Sequence, residues 1–378
     1  MRVAIVRQRY TPYGGAERFV ERALPALGRA GAEVTLIARS AEGWGSRAVE
    51  TVNPFFLGNL WRDRSFARAA RNAWGKFDLV QSHERIAGCD VYRAGDGVHR
   101  RWLEIRRAAA GPLERLGIAL NPYHRYVCAE ERRMFEHPAL RAVICNSAMV
   151  RDEILAAFRV APEKLHVVYN GVDLEHFHPR QREARRAAAR AELGLAEGEF
   201  AFLHVGSGFA RKGLDAAIGA LARCAEPRLR LFAAGRDRDA ARFAALARAA
   251  GVGARVHLLG ARADVRPLYA AADCFILPTR YDPFPGAALE ALAMGLPAIV
   301  GRRSGAAEVL GEAGWICEPE DVDGLAQRMR AAALALASGE NGKALRAAAR
   351  RTAEGYGIDA MARKLTDLYA ALIARKAA

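Results

Sequence analysis

The sequence predicts an α/β protein of two Rossmann-like domains facing a central cleft. Three observations carry this. The chain has 378 residues, enough for two domains of roughly 100–200 residues each. Short apolar runs of strand type alternate with segments of helical period, and the alternation restarts at Phe200. Each half opens with a strand, a glycine-containing loop and a helix. At 52% hydrophobic and 26% charged residues the composition is that of a globular chain, not a disordered one.

Residues 2–7 (RVAIVR) read as the first strand, followed by the loop YTPYGG over 10–15. From Ala16 to Ala30, Phe19, Ala23, Leu24 and Leu27 recur at helical spacing, and Gly31 ends the helix. Residues 33–38 (EVTLIA) form the second strand, which completes a parallel strand–helix–strand unit. FDLVQ at 77–81, AVIC at 142–145 and HVVY at 166–169 read as further strands. Asn146-Ser147 starts a helix, and Asn170-Gly171 turns the chain. The charged, alanine-rich stretch from Pro179 to Gly198 reads as a link between two bodies, placing the boundary near 170–200.

The second half predicts strands at 200–205, 229–234, 255–258, 273–277 and 297–300, with helices between them and three closing helices near 321–333, 342–354 and 359–375. The domains expected are 1–170, 171–360 and a terminal helix at 361–378 that packs back on the first domain.

Several classes are excluded. No run of 18 apolar residues exists, so no spanning helix is predicted. The opening RVAIVR is strand-like and too short for a signal peptide. Six cysteines, none closer than 17 positions to another, form neither a disulfide framework nor a zinc motif, so a reduced cytoplasmic protein is expected. Formal net charge is +15, and residues 1–170 hold 27 Lys/Arg against 18 Asp/Glu. That field favours anionic partners: nucleic acid, acidic lipid or a phosphorylated substrate.

Candidate sites follow the loops. Gly14 and Gly15, between strand and helix, suit an anion at a helix N-terminus, although a tight turn would use the same residues. In GSGFARKG, Gly206 to Gly213, the cations Arg211 and Lys212 stand at a helix mouth, where a fork and a point charge can hold a diphosphate. A solvated pair is the alternative. In LPTRYDPFPGAALEALAMG, Asp282 lies in the loop and Glu290 one turn into a helix that starts near Gly286. A carboxylate's two oxygens can accept two vicinal hydroxyls, and an acid inside AALEALAMG is unusual for a solvated residue. His83 follows FDLVQ at the strand end where open sheets place ligands. His99, His124 and His137 read as surface residues.

A basic, aromatic tract includes Trp61, Arg62, Arg64, Phe66, Arg68, Arg71 and Trp74, with Phe66, Ala70 and Trp74 on one helical stripe. A second holds Arg100, Arg101, Trp102, Arg106, Arg107 and Arg115. Such helices can lie at a membrane interface, recognise a phosphorylated glycolipid, or pack on the sheet. Asp237-Arg238-Asp239 reads as a solvated, self-neutralised charge run, although a DxD string can hold a metal-bridged diphosphate.

The segments YTPYGGAERFV, NPYHRYVCAEERRMF, NSAMV, NGVD, VGSGFARKG and PTRYDPFPGAALEALAMGLPAI resemble the retaining GT-B glycosyltransferases of family 4, most closely the lipopolysaccharide core glucosyltransferase I branch. The resemblance covers nearly the whole chain. The family hallmark, an acid followed after seven residues by Glu, matches Asp282 through Glu290, with Asp where members usually carry Glu.

The resemblance implies that Asp282 binds donor-sugar hydroxyls, Glu290 the ribose diol, and Arg211 and Lys212 the diphosphate. It also implies that amides near Pro285, Gly286 and Ala287 touch sugar or phosphate, that Gly14 and Gly15 shape the diphosphate loop, and that Val256 to Arg262 line the base site. His83 falls near the transferred sugar in many members.

The implied reaction is metal-independent, retaining transfer of a hexose, expected to be glucose, from a UDP-sugar, with no cofactor. The implied acceptor is a phosphorylated inner-core heptose of lipopolysaccharide, at the anionic inner face of the inner membrane; nucleic acid is not a partner. Hexosyl or mannosyl transfer to another acceptor is the alternative, as is a catalytically silent sugar- or membrane-binding protein. A dinucleotide oxidoreductase is disfavoured, since the first loop lacks GxGxxG and Ala38-Arg39 end the second strand.

Overall fold

Inner strands such as AVIC at 142–145 and CFIL at 274–277 are apolar from end to end, as suits parallel strands covered on both faces. The computed structural model describes residues 1–10, 24, 28 and 31–377, without the side chains of 375–377. Gly14, Gly15 and most of the expected first helix lie outside the described residues.

The first sheet has seven parallel strands: β1 (Arg2–Val6), β3 (Glu33–Ala38), β5 (Val49–Thr51), β6 (Leu79–Ser82), β7 (Val91–Ala94), β8 (Ala142–Cys145) and β9 (Leu165–Val167). Their order is β5-β3-β1-β6-β7-β8-β9. Ile5 sits opposite Leu36 on one side and Gln81 on the other. A separate short parallel pair joins β2 (Arg9–Tyr10) to β4 (Ser40–Ala41).

One face of the sheet takes the helix Gly58–Asn72 through Phe66, Ala67 and Ala70, together with Ala4, Val6 and Val80. The opposite face takes the last helix, Ile358–Ala377. Its Met361, Leu365, Leu368, Tyr369 and Leu372 pack with Val3, Ile5, Leu36, Leu79 and Ile144, and Arg141 donates to the Leu372 carbonyl at 2.6 Å.

The second sheet has six parallel strands: β10 (Phe200–Val205), β11 (Leu229–Ala234), β12 (Val256–Gly260), β13 (Cys274–Leu277), β14 (Ala298–Gly301) and β15 (Gly314–Cys317). Their order is β12-β11-β10-β13-β14-β15. Helices Leu214–Arg223 and Val322–Ala337 share one apolar cluster with this sheet, built on Phe202, Leu214, Ile218, Leu221, Ile276, Leu325 and Met329.

Both sheets have the doubly wound order in which the chain leaves the first strand in one direction and returns on its other side with the fourth. Ligands bind at that reversal, outside the carboxyl ends of the strands. Here the reversals lie between β1 and β6 and between β10 and β13. The chain divides into one unit of Met1–Asn170 with Asp359–Ala378 and another of Gly171–Ile358.

One expectation is corrected. Pro179–Gly198 does not link two bodies: Pro179–Glu192 is a helix of the second unit. Arg186 donates to the carbonyls of Ala270, Ala271 and Ala272 and to Asp273 Oδ1 at 2.5 Å. Arg190 reaches Asp273 Oδ2 at 3.2 Å, and that oxygen also accepts from the Ala201 amide at 2.9 Å. The arginines that suggested a solvated connector satisfy the C-terminal carbonyls of helix Arg266–Ala271 and tie it to the sheet.

Among the described residues no helix is long and apolar enough to cross a membrane, and all six cysteines are free.

Candidate active site

At the reversal of the second sheet, two loops follow β10 and β13. The first, 206–213, needs glycine at its end. Gly213 has φ +75°, caps helix Leu214–Arg223, and a Cβ there would stand 1.9 Å from the Pro278 carbonyl oxygen. The close approach binds the two loops together: the Arg280 amide and Thr279 Oγ1 both donate to the Arg211 carbonyl, at 2.9 and 3.0 Å. Arg280 makes a bidentate pair with Asp215 at 2.8 Å for each bond.

His204, at the end of β10, is buried, and burial lowers it to about 4. Its Nε2 lies 3.3 Å from the Lys212 carbonyl. A carbonyl only accepts, so the neutral ring carries its proton on Nε2 and donates it.

This framework brings Arg211, Lys212 and Asp282 together. Lys212 Nζ donates to Asp282 Oδ2. Arg211 Nη1 lies 3.4 Å from the same oxygen and donates to the Tyr281 carbonyl at 2.9 Å. Lys212 and Asp282 are buried, and Arg211 is half-buried. Burial alone would raise the Asp282 carboxyl, but Lys212 and Arg211 outweigh it and hold it below the usual Asp range. The Asp282 backbone is fixed as well: its amide donates to the Arg303 carbonyl and its carbonyl accepts from Gly305, both at 3.0 Å.

Glu290 lies on helix Gly286–Ala293, whose N-cap is Pro285 and which no side chain caps. First-turn amides of a helix have no partner within it and suit an anion. Pro285 is buried, and Gly286 and Ala287 are half-buried. Glu290 is 4% exposed and accepts from the Tyr269 hydroxyl at 3.1 Å, which also lies 3.1 Å from the Ala287 carbonyl. A solvated role for Glu290 is therefore overturned. Tyr269, on helix Arg266–Ala271, was missed in the sequence, where nothing marks it among the apolar residues of RPLYAA.

Asp237 is likewise no solvated charge. Its two oxygens accept from the Phe209 amide at 2.6 Å and the Asp239 amide at 2.8 Å, and Ser207 Oγ accepts from the Arg236 amide at 3.1 Å. The carboxylate shapes the 206–213 loop. Among the described residues no group of three His, Cys, Asp or Glu side chains could hold a metal ion. Arg262 is exposed in the loop after β12.

In the first unit, His83 follows β6 at that sheet's reversal. It is 4% exposed, and burial, with Arg93 and Arg7 nearby, keeps it well below its ordinary range and neutral. Arg93, on β7, donates to Asn170 Oδ1 at 2.8 Å. A polar cavity of about 300 Å³ opens beside Arg7, Arg62, Asp63, Glu84, Arg85 and Tyr123.

The basic tracts divide. The stripe of Phe66 and Ala70 is core, and Trp74 leaves the helix, which ends at Asn72, for a 3-10 turn. Arg62 pairs with Asp63 at 2.9 Å, while Arg64 and Arg68 are exposed. Trp61 is 47% exposed beside Phe55. Arg100 and Arg101 pair with Glu104, and Trp102 is half-buried.

Two surface histidines prove otherwise. His99 Nε2 and His124 Nδ1 are 3.1 Å apart, and burial, with Arg85 and His124 adding to it, lowers His99 to about 3. The larger omission is helix Pro112–Leu120, where Leu113, Leu116 and Leu120 are 86%, 56% and 66% exposed. Their i, i+3, i+7 spacing was readable in LERLGIAL, but it resembles any core-facing stripe.

Two family models match the chain: Glycosyltransferase Family 4 over residues 13–176 and Glycosyl transferases group 1 over residues 185–352. The chain is 29% identical over 350 residues to the lipopolysaccharide glucosyltransferase WaaG of Escherichia coli strain K12, covering 88% of this chain and 89% of that one. It is also 29% identical over 346 residues to a probable transglycosylase of Burkholderia thailandensis, covering 88% of each. A crystal structure of WaaG, a glycosyltransferase involved in lipopolysaccharide biosynthesis, superposes with a TM-score of 0.82 at 26% identity, over 97% of this chain and 99% of that one. Anabaena HepE in complex with UDP-glucose shares the fold, with a TM-score of 0.75 at 19% identity over 98% of this chain and 100% of that one.

Proposed function

The chain belongs to the two-domain GT-B glycosyltransferases of family 4, and from that premise we propose that it transfers a hexose, glucose first, from a UDP-sugar to a phosphorylated inner-core heptose of lipopolysaccharide with retention of configuration. The observation that carries the donor side is the joined cluster of Arg211, Lys212 and Asp282 on two loops at one sheet reversal, with Glu290 buried on the helix that follows the second loop. The names of the similar proteins, a lipopolysaccharide glucosyltransferase and a UDP-glucose complex, agree with this donor and acceptor.

The chemistry follows from the charges. The anomeric carbon–oxygen bond breaks, and the electron pair leaves with the diphosphate. Lys212, Arg211 and the first-turn amides at Gly286 and Ala287 neutralise it by fixed electrostatics, without metal. The acceptor hydroxyl oxygen forms the new bond on the same face, and its proton passes to the departing phosphate oxygen. Glu290 holds the ribose diol and Asp282 a sugar hydroxyl, so neither is free to form a covalent glycosyl-enzyme.

Donor binding must also part Lys212 from Asp282, since the diphosphate and the carboxylate compete for one ammonium. The first unit supplies the acceptor site. The exposed leucines of helix Pro112–Leu120, with Arg107 and Arg115 beside them, hold the enzyme to the anionic cytoplasmic face of the inner membrane.

Calorimetry tests the donor site: UDP, GDP, UDP-glucose and UDP-galactose against wild type and Glu290→Ala, with and without EDTA. UDP and UDP-glucose binding that survives EDTA and weakens in the variant is expected. Binding that needs a divalent ion, or is indifferent to Glu290, overturns the donor assignment. Mannosyl product from a GDP-sugar would move the enzyme to the alternative hexosyl reading.

A further inference from the structure

His83 is held by a buried polar chain that begins on the last helix. The Tyr369 hydroxyl donates to Gln81 Oε1 at 2.5 Å, and Gln81 Nε2 stands 3.0 Å from His83 Nε2. Tyr369, Gln81 and His83 are 0%, 1% and 4% exposed, so water does not substitute for these contacts.

The polarity is fixed by chemistry. A neutral phenol donates to the amide oxygen, which leaves the amide nitrogen facing the ring, and an amide nitrogen can only donate. His83 Nε2 must then accept, and a neutral imidazole that accepts at Nε2 carries its proton on Nδ1. The ring is neutral because burial, with Arg93 and Arg7 nearby, holds it well below its ordinary range, and burial likewise keeps the Tyr369 phenol protonated.

Gln81 is an unusual residue for the middle of a buried strand. It pairs with Ile5 of β1 on one side and Val91 of β7 on the other. Tyr369 reaches it from a helix 288 residues later in the chain. A polar pair in this core is tolerated only if satisfied, and it then specifies one arrangement.

We infer that Gln81 and Tyr369 are positioning residues that hold His83 as its Nδ1–H tautomer, making Nδ1 the ring's donor at the end of β6. This rests on the proposed glycosyl transfer and on the family resemblance, which implies a histidine at this place near the transferred sugar. In that role the ring offers a hydrogen bond to a sugar oxygen through Nδ1 and cannot offer one through Nε2. The last helix thereby acts on the site without touching substrate.

The test is the tautomer, read by long-range nitrogen–proton correlation NMR on the full chain with labelled histidine. Wild type is expected to show protonated Nδ1 and bare Nε2 at His83. Gln81→Glu replaces the amide donor with a carboxylate acceptor, so the proton is expected to move to Nε2. Tyr369→Phe leaves the amide free to turn, and a mixture of tautomers is expected.

Protonated Nε2 in wild type overturns the inference, as does an unchanged tautomer in both variants. Should Gln81→Glu fail to fold, wild type and Tyr369→Phe still decide. Activity separates the two readings: kcat in Gln81→Glu is expected to fall about 10- to 100-fold with donor KM little changed. Tautomers as expected with unchanged kcat would leave the relay standing and remove His83 from the sugar site.

Discussion

Lys212 and Asp282 form a buried pair to whose two halves the proposed donor site gives opposite duties. Removing one partner strands the other charge, which costs about 3–5 kcal/mol, whereas replacing both with apolar residues of similar size is often neutral. Asp282→Ala is therefore expected to lower stability by that amount. Lys212→Met with Asp282→Leu should recover most of it while transfer is lost; a double-mutant cycle by denaturant unfolding checks this.

Lys212→Ala should lower kcat by about 10²–10³, the usual loss when one charge-stabilising group is removed. The pH dependence has a definite sign. Lys212 and Arg211 hold Asp282 below its usual range, so its contribution to stability is full above the unfolded Asp value, about 3.9, and is lost as pH falls through the lower folded value. The stability gap between wild type and Asp282→Asn should therefore close in acid and stay constant from pH 5 to 7.

Glu290 was legible in the sequence because an acid in AALEALAMG is conspicuous. The Lys212–Asp282 contact was not, since it joins residues 70 positions apart.

At the scale of elements, the glycine that ends the 206–213 loop admits no side chain. Gly213→Ala meets a carbonyl oxygen and a positive φ together, so it should cost more than the roughly 1 kcal/mol of an ordinary glycine effect. Thermal unfolding reads that directly. Helix Pro112–Leu120 gives the opposite pattern. Leu113→Glu with Leu116→Glu is expected to leave melting within the ±0.5 kcal/mol range of surface changes while abolishing sedimentation with anionic vesicles; retained binding would place membrane contact elsewhere.

The long apolar strands β1, β3, β10 and β11 were readable as such. So were short apolar ones such as AVIC at β8, but two short strands were not: β7 is VYRA, with an arginine at its centre, and β15 is GWIC, opening on glycine. Edge and polar-bearing strands lack an apolar run because tertiary partners, Asn170 for Arg93, satisfy what the local sequence leaves open. The Pro179–Glu192 helix misled for the same reason, its arginines being spoken for by carbonyls 80 to 90 residues away.

For the whole molecule, the two units differ in how the chain builds them. Residues 171–358 are continuous, whereas the first unit needs residues from both ends. A fragment of 171–358 is expected to be soluble, to unfold cooperatively and to bind UDP. A fragment of 1–170 leaves Val3, Ile5, Leu36, Leu79 and Ile144 without the helix that covers them and is expected to aggregate. Adding the 359–378 peptide in trans should restore solubility, measured by light scattering.

That terminal helix also sets a timetable for synthesis. When Asn170 has been added to the chain, the strands of the first sheet have all been made but the helix that covers one face has not, and the 188 residues 171–358 (358 − 170) must be translated before it begins. At roughly 5–20 residues per second, that takes about 10–40 s. The part of the chain made second is thus the first able to finish folding, and the sheet made first waits with an apolar face open to chaperones until the helix beyond Ile358 is made.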